Sequence, residues 1–506
     1  MHLIAHEAQW AKETAGFIRR TALALTLAGA VACVPTAPPA PATVPVAVGT
    51  SRPAIAPAIL APSDAAFLDT LQRRTFNFFW ETTNPANGLV PDRWPTRTFS
   101  SIAAVGFGLT AYPIGVEHGW VTREQAAERV LATLRFFWRA PQGTAPSGTA
   151  GYRGFFYHFL DLAEGTRFRQ VELSTIDTTL LLGGALFCQA YFDGPGAPES
   201  EIRALADSIY RRVDWTFAQA RPPRVSMGWY PESGLHDYDW RGYDEAMLLY
   251  VLALASPTHP IDPSAWKAYT ADYTWGPFYG YEMVNFAPLF GHQYSHIWID
   301  FRGIQDDYMR RRGIDYFENS RRATLAQKAY AHFNPLRWRD YGGDIWGLSA
   351  SDGPGDTTFV VDRERRIFSG YMARGAAANQ IRDDGTITPT AAGGALPFAP
   401  EASIPALRAM RSAYGGVLFD RYGFLDSFNP TLRDNHPWPR DGRVVPGQTW
   451  VDIDYLGIDQ GAILLMAENM RSGLIWRLMR TSPVIRRGLE RAGFTGGWLA
   501  TPEPAR

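Results

Sequence analysis

Four stretches of the chain are apolar on nearly every helical face: residues 100–116, 174–192, 242–256 and 458–467. A helix that is hydrophobic all round is buried on all sides, whereas one with a single apolar stripe keeps a wet face. Residues 122–138, 200–220 and 319–333 are of the second kind. Thr122 and Gln125 form a capping box at the start of the first of these, and Ser200 is placed to cap the second. Further helices are predicted at 64–80, 263–273, 293–301, 368–380, 404–414 and 473–481, with a strand at 152–159 and short β pieces near 343–348, 358–362 and 386–388. There is no βαβ alternation, and no fixed-period repeat of the kind that marks a solenoid. About a dozen helices, fully apolar ones alternating with amphipathic ones, predict an all-α fold. The arrangement expected is a double-layered helical barrel, (α/α)6, with short β insertions.

The buried stretches share a second feature: their acidic residues sit at the N-terminal ends. The motif STIDTTLL carries Asp177, the stretch YDWRGYDEAMLL carries Asp239, Asp244 and Glu245, and GIDQGAILL carries Asp459. Any one acid before a helix is most simply a cap or a partner of the helix dipole. In a barrel whose inner helices run parallel, however, Asp177, Glu245 and Asp459 would meet at one mouth. Glycoside hydrolysis needs such a meeting, with one carboxyl protonated by its surroundings and another ionised to direct water. No Ser-His-Asp set or GxSxG elbow competes for the role.

Composition narrows the class. The formal net charge of −1 over 506 residues gives no footing for nucleic acid or an anionic membrane surface. The 17 Trp, 22 Tyr and 29 Phe include many in polar, Gly-rich stretches, where flat rings suit the C–H faces of sugars. The two cysteines are Cys33, in the leader, and Cys188, in an apolar helix, so no structural disulfide is expected. Arg19 and Arg20 precede an apolar run too short to span a bilayer, ending in Ala30-Val31-Ala32 and Cys33. Residues 1–33 thus read as a signal peptide, either plainly cleaved or of the lipoprotein type with a lipid on Cys33. That lipid would be the protein's only link to a membrane. Residues 34–63 are a Pro/Ala-rich spacer, and 64–495 form the folded domain. The expected location is the periplasm or an outer-membrane anchor.

Between residues 291 and 324 the sequence crowds His292, Gln293, Tyr294, His296, Trp298, Asp300, Arg302 and Asp306 together. His296 and Asp300 share a helical face, but two further ligands of a metal site are missing from the pattern. A sugar-binding wall or a structural hydrogen-bond network is the expected role, with no metal and no cofactor. The turn-rich WGLSASDGPG contributes Trp346 and Asp352, and YGFLDSFN contributes Asp426. Glu401 falls at the start of a helix, as a dipole partner or a cleft acid.

These motifs, STIDTTLL, YDEAMLLYVLALASPTHP, HQYSHIWIDFRGIQDDYMRRRGIDYFENSRRAT, WGLSASDGPG, DGTITPTAAGGALPFAPE and GIDQGAILLMAENMRSG, resemble the bacterial glycoamylase-like family in order from about 64 to 479. That family includes endo-β-1,2-glucanases and sophorose-releasing relatives. The resemblance implies an (α/α)6 barrel and an inverting hydrolase of β-glucan, β-1,2-glucan above all, with an oligo- or polysaccharide as substrate. It places Glu245 as general acid and Asp177 as an important cleft acid. Asp459 is the preferred base and Asp426 the second candidate. Trp229, Trp298, Trp346 and Tyr371 become subsite walls or ordinary packing residues. Asp239, His292, Gln293, His296, Arg302, Asp352 and Glu401 are the remaining expected substrate contacts. An inactive glycan-binding lipoprotein, or a lyase or phosphorylase on the same barrel, would share much of this pattern.

Overall fold

In the computed structural model, residues 60–434 and 441–500 are described. The expected leader with Cys33 and the spacer as far as residue 59 lie outside them, whereas Pro62 and Ser63, expected to end the spacer, open the helix Pro62–Thr82. Helices account for about 45% and strands for 16% of the structure, so the fold is mainly helical, of the (α/α)-barrel type, with more β structure than short insertions.

The apolar stretches form buried helices. Ile102–Glu117 is capped by Ser101, whose hydroxyl accepts from the Ala104 amide, and almost all of its residues are buried. Thr175–Tyr191 is capped by Ser174 and buried nearly throughout. Gly457–Arg471 is buried along all but its last turn and its second residue. Around them lie helices with one wet face. Arg123–Arg139 begins with the expected capping box of Thr122 and Gln125, Pro62–Thr82 packs on Ile102–Glu117 and Gly457–Arg471, and Arg123–Arg139 packs on Ala197–Arg212. Among the inner helices, Ile102–Glu117 lies against both Thr175–Tyr191 and Gly457–Arg471, Met247–Ala255 against Thr175–Tyr191 and Tyr294–Trp298, and Pro389–Gly393 against Gly457–Arg471.

The tightest of these contacts requires glycine. A Cβ on Gly106 would lie 2.2 Å from the Leu180 carbonyl oxygen, and one on Gly184 would lie 2.1 Å from that of Gly106. The two helices therefore touch backbone to backbone.

The strands are short and tie helix starts together. A five-stranded antiparallel meander runs Gly151–Tyr152, Phe155–Tyr157, Leu173–Ser174, Gly228–Tyr230, Gly234–Leu235. Its middle strand leads directly into Thr175–Tyr191. Arg93–Trp94 pairs with Tyr455–Leu456, which pins an early loop to the start of Gly457–Arg471.

Several elements differ from expectation. The helix expected at 368–380 is instead the strands Met372–Ala373 and Gly375–Ala377. The cause is Arg374, fully buried, whose guanidinium donates to Asp384 and to the carbonyls of Ser351, Ser369 and Gly370. An extended backbone brings those acceptors around it, and alanine content misled the sequence reading. The helix placed at 200–220 runs from Ala197 to Arg212, opened by Pro198 in its first turn rather than capped by Ser200. That placed at 242–256 starts only at Met247, because Asp244 accepts from the Ala246 amide at 2.9 Å and holds a turn ahead of it. Asp307–Arg312, Pro389–Gly393 and Pro483–Arg491 are helices not foreseen. Cys188 is the small buried residue expected, its thiol facing the Leu109 carbonyl. No described helix is long and apolar enough to cross a membrane.

Replacing Gly184 with Ala should lower unfolding free energy by about 3 kcal/mol through overpacking. Gly416→Ala, at a position with open space around it, should change it by less than about 0.5 kcal/mol. Denaturant melts of the two variants compare them directly.

Candidate active site

Each acid that opens a buried helix is set by local structure. Asp177 is in the first turn of Thr175–Tyr191, where its amide donates to Ser174 Oγ and its Oδ2 accepts from the same hydroxyl at 2.5 Å. Glu245 lies in the turn ahead of Met247–Ala255. Ser295 Oγ donates to the Glu245 carbonyl at 2.7 Å and accepts from the Leu248 amide at 3.0 Å, which stitches that turn to the Tyr294–Trp298 helix. Asp459 is in the first turn of Gly457–Arg471, and its carbonyl accepts from Thr390 Oγ1, at the start of Pro389–Gly393. All three are buried, at 4%, 2% and 2% exposure.

They converge on Tyr294, the first residue of its own helix. Burial pushes the Tyr294 phenol well above its ordinary range, and the negative charges of Asp459, Glu245 and Asp177 push it further, as does Tyr371. One hydroxyl thus feels acids from three separate helices.

A second group of acids continues from Asp459. Asp426 accepts the Asp352 amide at 2.7 Å on Oδ2, and its Oδ1 and Asp459 Oδ2 are buried without a conventional donor. Burial raises the Asp426 carboxyl well above the usual range, and the hydrogen bond with Asp459 raises it further. The same bond lowers Asp459, which burial pushes up to about 7. The two carboxyl groups are therefore coupled, and burial holds a proton on the pair above the usual carboxylate range. Asp352, Asp426 and Asp452 bring one carboxylate oxygen each within 4.8 Å of one another. Among the described residues this is the group that could hold a metal ion, and spacing along the sequence does not reveal it. Arg93 already brings positive charge there, with Nη1 donating to Asp352 at 2.7 Å and Nε to Asp92 at 3.2 Å. Tyr371 is half-buried beside these acids, its phenol raised by burial and then by Asp459, Asp352, Asp92 and Asp426.

On the other side, burial pushes Glu245 up to about 7, with the charge of Asp177 adding to the effect. Its neighbour Asp244 is also raised, by burial and by Glu245, and accepts the Tyr269 hydroxyl at 2.9 Å. The site thus holds two groups of coupled buried acids, Glu245 with Asp244 and Asp177 on one side and Asp459 with Asp426 on the other, each raised above the usual carboxylate range.

The structure brings together Asp177, Glu245, Asp459, Asp426, Asp352 and Tyr371. Trp229 stands one strand away from the Asp177 helix start, paired across from Leu173 and packed on Tyr152. The other expected contacts lie elsewhere. Trp298 is fully buried, stacked on Phe107 with its indole donating to Thr110 Oγ1, and Trp346 is fully buried too; both fill the core rather than wall a subsite. His292 bonds the Phe286 carbonyl and His296 the Ser320 hydroxyl, and burial lowers the basicity of each. Gln293 donates to the Ala391 carbonyl. These three are the structural network, not the sugar wall. Arg302 forks onto Asp300 and lies over Trp476, whose amide meets Asn469 at the far end of Gly457–Arg471. Asp239 forms an ion pair with Arg221 near the surface, and Glu401 is an exposed partner of Arg321. Spacing along a helix does not show which partners a side chain meets in space, and these residues are engaged by the partners just named.

Sequence reasoning did not select Asp92, Arg93, His158, Glu172, Tyr294 or Asp452 as site residues. Asp92 and Arg93 had a readable signal, charged residues in a Pro/Gly loop. Asp452 had a weaker one in the acid-rich VDIDYLGID.

Residues 237–483 match the family model Glycoamylase, described as putative glucoamylase. An exo β-1,2-glucooligosaccharide sophorohydrolase (non-reducing end) from Parabacteroides distasonis is 28% identical over 466 residues, which cover 85% of this chain and 58% of that protein. The chain therefore matches less than two thirds of the length of this curated relative. A crystal structure from Bacteroides uniformis, of a glucoamylase of the same description, superposes with a TM-score of 0.73 at 31% identity, covering 87% of this chain and all of the other. The endo-β-1,2-glucanase of Chitinophaga pinensis, solved with sophorotriose and glucose, gives 0.72 at 26%, again over 87% of this chain and all of the other.

The buried acids carry a signature in stability. Glu245 has an ordinary value of 4.5 when unfolded and about 7 when folded, so the folded state binds the extra proton between those values. The contribution of Glu245 to stability is therefore greatest below 4.5, falls as pH rises through this window and levels off above 7. Glu245→Gln removes the effect. Its denaturant unfolding free energy should exceed that of the parent by about 3 kcal/mol at pH 8 and match it at pH 4.5.

Proposed function

The chain belongs to the glycoamylase-like family, and we propose that it hydrolyses β-1,2-linked glucan with inversion at the anomeric carbon. The observation that carries this reading is the gathering of two buried acid groups around Tyr294, Glu245 with Asp177 on one side and Asp459 with Asp426 on the other. In this reading Glu245 supplies the proton for the leaving oxygen and Asp459 receives the one from water. Asp177, beside Glu245, completes the acid side. The relatives named as β-1,2-glucan hydrolases support the linkage.

In this mechanism Glu245 donates its proton to the glycosidic oxygen as the bond to the anomeric carbon breaks. A water on the opposite face attacks that carbon and gives its proton to Asp459, directly or through a substrate hydroxyl. The turnover leaves Glu245 ionised and Asp459 protonated, and exchange with solvent restores both. Tyr294 stands between the two sides, and Tyr371 and Arg93 border the base side, where sugar hydroxyls need polar partners.

The same reading includes the (α/α)6 double ring, with Ile102–Glu117, Thr175–Tyr191, Met247–Ala255, Tyr294–Trp298, Pro389–Gly393 and Gly457–Arg471 as the inner helices. Their mutual packing and the convergence of their N-terminal residues support it. It also includes the boundaries 1–33, 34–63 and 64–495, and export to the periplasm or an outer-membrane anchor, on the strength of the leader sequence.

Glu245→Gln should lower kcat on β-1,2-glucan by about a thousandfold while binding of sophoro-oligosaccharides persists by calorimetry. NMR of early product should show the α-anomer first. Initial β-anomer would reject inversion, and a wild-type protein that yields no new reducing ends from β-1,2-glucan would reject hydrolysis of this substrate.

A further inference from the structure

A histidine outside the acid set completes a buried chain of three ionisable groups. His158 lies between the strands Phe155–Tyr157 and Phe159–Leu160, and Glu172 immediately precedes Leu173–Ser174. The two strand segments pair antiparallel, Tyr157 opposite Leu173 and Phe156 opposite Ser174. That register puts His158 beside Glu172, and the His158 amide donates to the Glu172 carbonyl at 2.9 Å. Ser174 then caps the helix that carries Asp177. The imidazole is drawn between two carboxyl groups, with Nδ1 2.7 Å from Glu172 Oε1 and Nε2 3.6 Å from Asp177 Oδ1. The three side chains are 7%, 9% and 5% exposed.

We propose that His158 is a positioning residue which, held as an imidazolium between Glu172 and Asp177, keeps the proton shared by the acid side of the cleft off Asp177 and on Glu245. This rests on the hydrolase reading given above and assigns His158 a role in it.

The argument is one of proton partition. Asp177 and Glu245 interact as like charges in a buried site, so near neutrality they retain one proton between them. Catalysis needs it on Glu245. Asp177 has the Ser174 hydroxyl, His158 and, further off, Glu172 and Asp92 as its neighbours. Among these His158 is the one that can carry positive charge. Among the described residues Glu245 faces Asp244, Asp177 and Tyr294, none of which is a cation. A cation placed on one member of the pair makes that member the anion. Burial opposes the charge of His158, but Asp177 and Glu172 outweigh burial and raise its basicity above that of ordinary histidine. Glu172 therefore works at one remove, holding the ring charged and oriented. Arg93 answers Asp92 on the next loop, so His158 is not consumed there.

Two measurements test this. The first is kinetic. In His158→Gln the proton shifts toward Asp177, so plateau kcat on β-1,2-glucan should fall about tenfold and the acidic limb of the pH–kcat profile should move up by about one unit. A purely structural role would lower the plateau and leave the limb in place, and that result would overturn the proposal. Glu172→Gln should move the same limb in the same direction by less, and stands in if the first variant fails to fold. The second is independent of activity. In 15N-histidine NMR of the wild-type protein, the ring whose signals change in Glu172→Gln should remain doubly protonated at pH 7.5. A neutral ring there would overturn the proposal even if the kinetics changed. If wild-type protein has no activity on β-1,2-glucan while the ring stays charged, it is the hydrolase reading that fails and not the His158 contact.

Discussion

Carboxyl groups are packed into the centre of this molecule faster than cations are supplied to balance them. Asp92, Asp177, Glu245, Asp352, Asp426, Asp452 and Asp459 are each no more than 9% exposed, and the cations facing them among the described residues are Arg93, His158 and, behind Asp384, Arg374. An unpaired buried carboxylate is costly enough that it keeps its proton instead. The excess of acid over base is therefore stored as protons held above their ordinary range. Which oxygen holds each proton is decided by the placement of three positive side chains and by hydrogen bonds from the backbone.

The fold lowers that cost at the helix ends. Asp177 and Asp459 lie in first turns, where free amides and the helix dipole favour negative charge. Because these first turns and Glu245 all act on Tyr294, the effect is concentrated on a small volume. It works only if the helices cannot drift, and the backbone contact between Gly106 and Gly184 serves that end, as does the close approach of Gly488 to the Val251 carbonyl. Short strands do the remaining positioning. Leu173–Ser174 sets the start of the Asp177 helix, and Tyr455–Leu456, paired with Arg93–Trp94, sets the start of the Asp459 helix. The strand content is therefore part of the site's construction.

What was legible in the sequence follows from this. An apolar helix announces itself, so Thr175–Tyr191 and the start of Gly457–Arg471 were placed within a residue or two, together with the acids at their starts. The capping box at Thr122 was readable for the same reason, since its chemistry is local. Residues that depend on pairing across the chain were not readable. His158 gains its meaning from Glu172 through a strand register, and Asp352, Asp426 and Asp452 meet from three loops. Arg374 turned an alanine-rich segment into strands because its acceptors lie in the flanking turns and the preceding strand. Trp298 and Trp346 could be subsite walls or packing residues on sequence alone, and the indoles are fully buried in the core. Local composition reports the neighbours in sequence, and these side chains answer to neighbours in space.

The two sides of the cleft obey one rule with opposite results. Each is a pair of acids that retains a proton near neutrality. On the acid side a cation touches the member farther from catalysis, Asp177, so the proton goes to Glu245 and is available to a leaving group. On the base side Asp426 takes a backbone amide from Asp352 on one oxygen and is coupled to Asp459, and the proposed mechanism needs the proton of that pair to rest on Asp426. A general acid and a general base would ordinarily need ordinary values on opposite sides of the working pH. In the proposed mechanism two carboxyl groups both raised to about 7 serve in opposite roles, and the partners around each one set which gives a proton and which receives it. The arrangement ties the chemistry to a narrow range near neutrality, where both pairs are singly protonated at once.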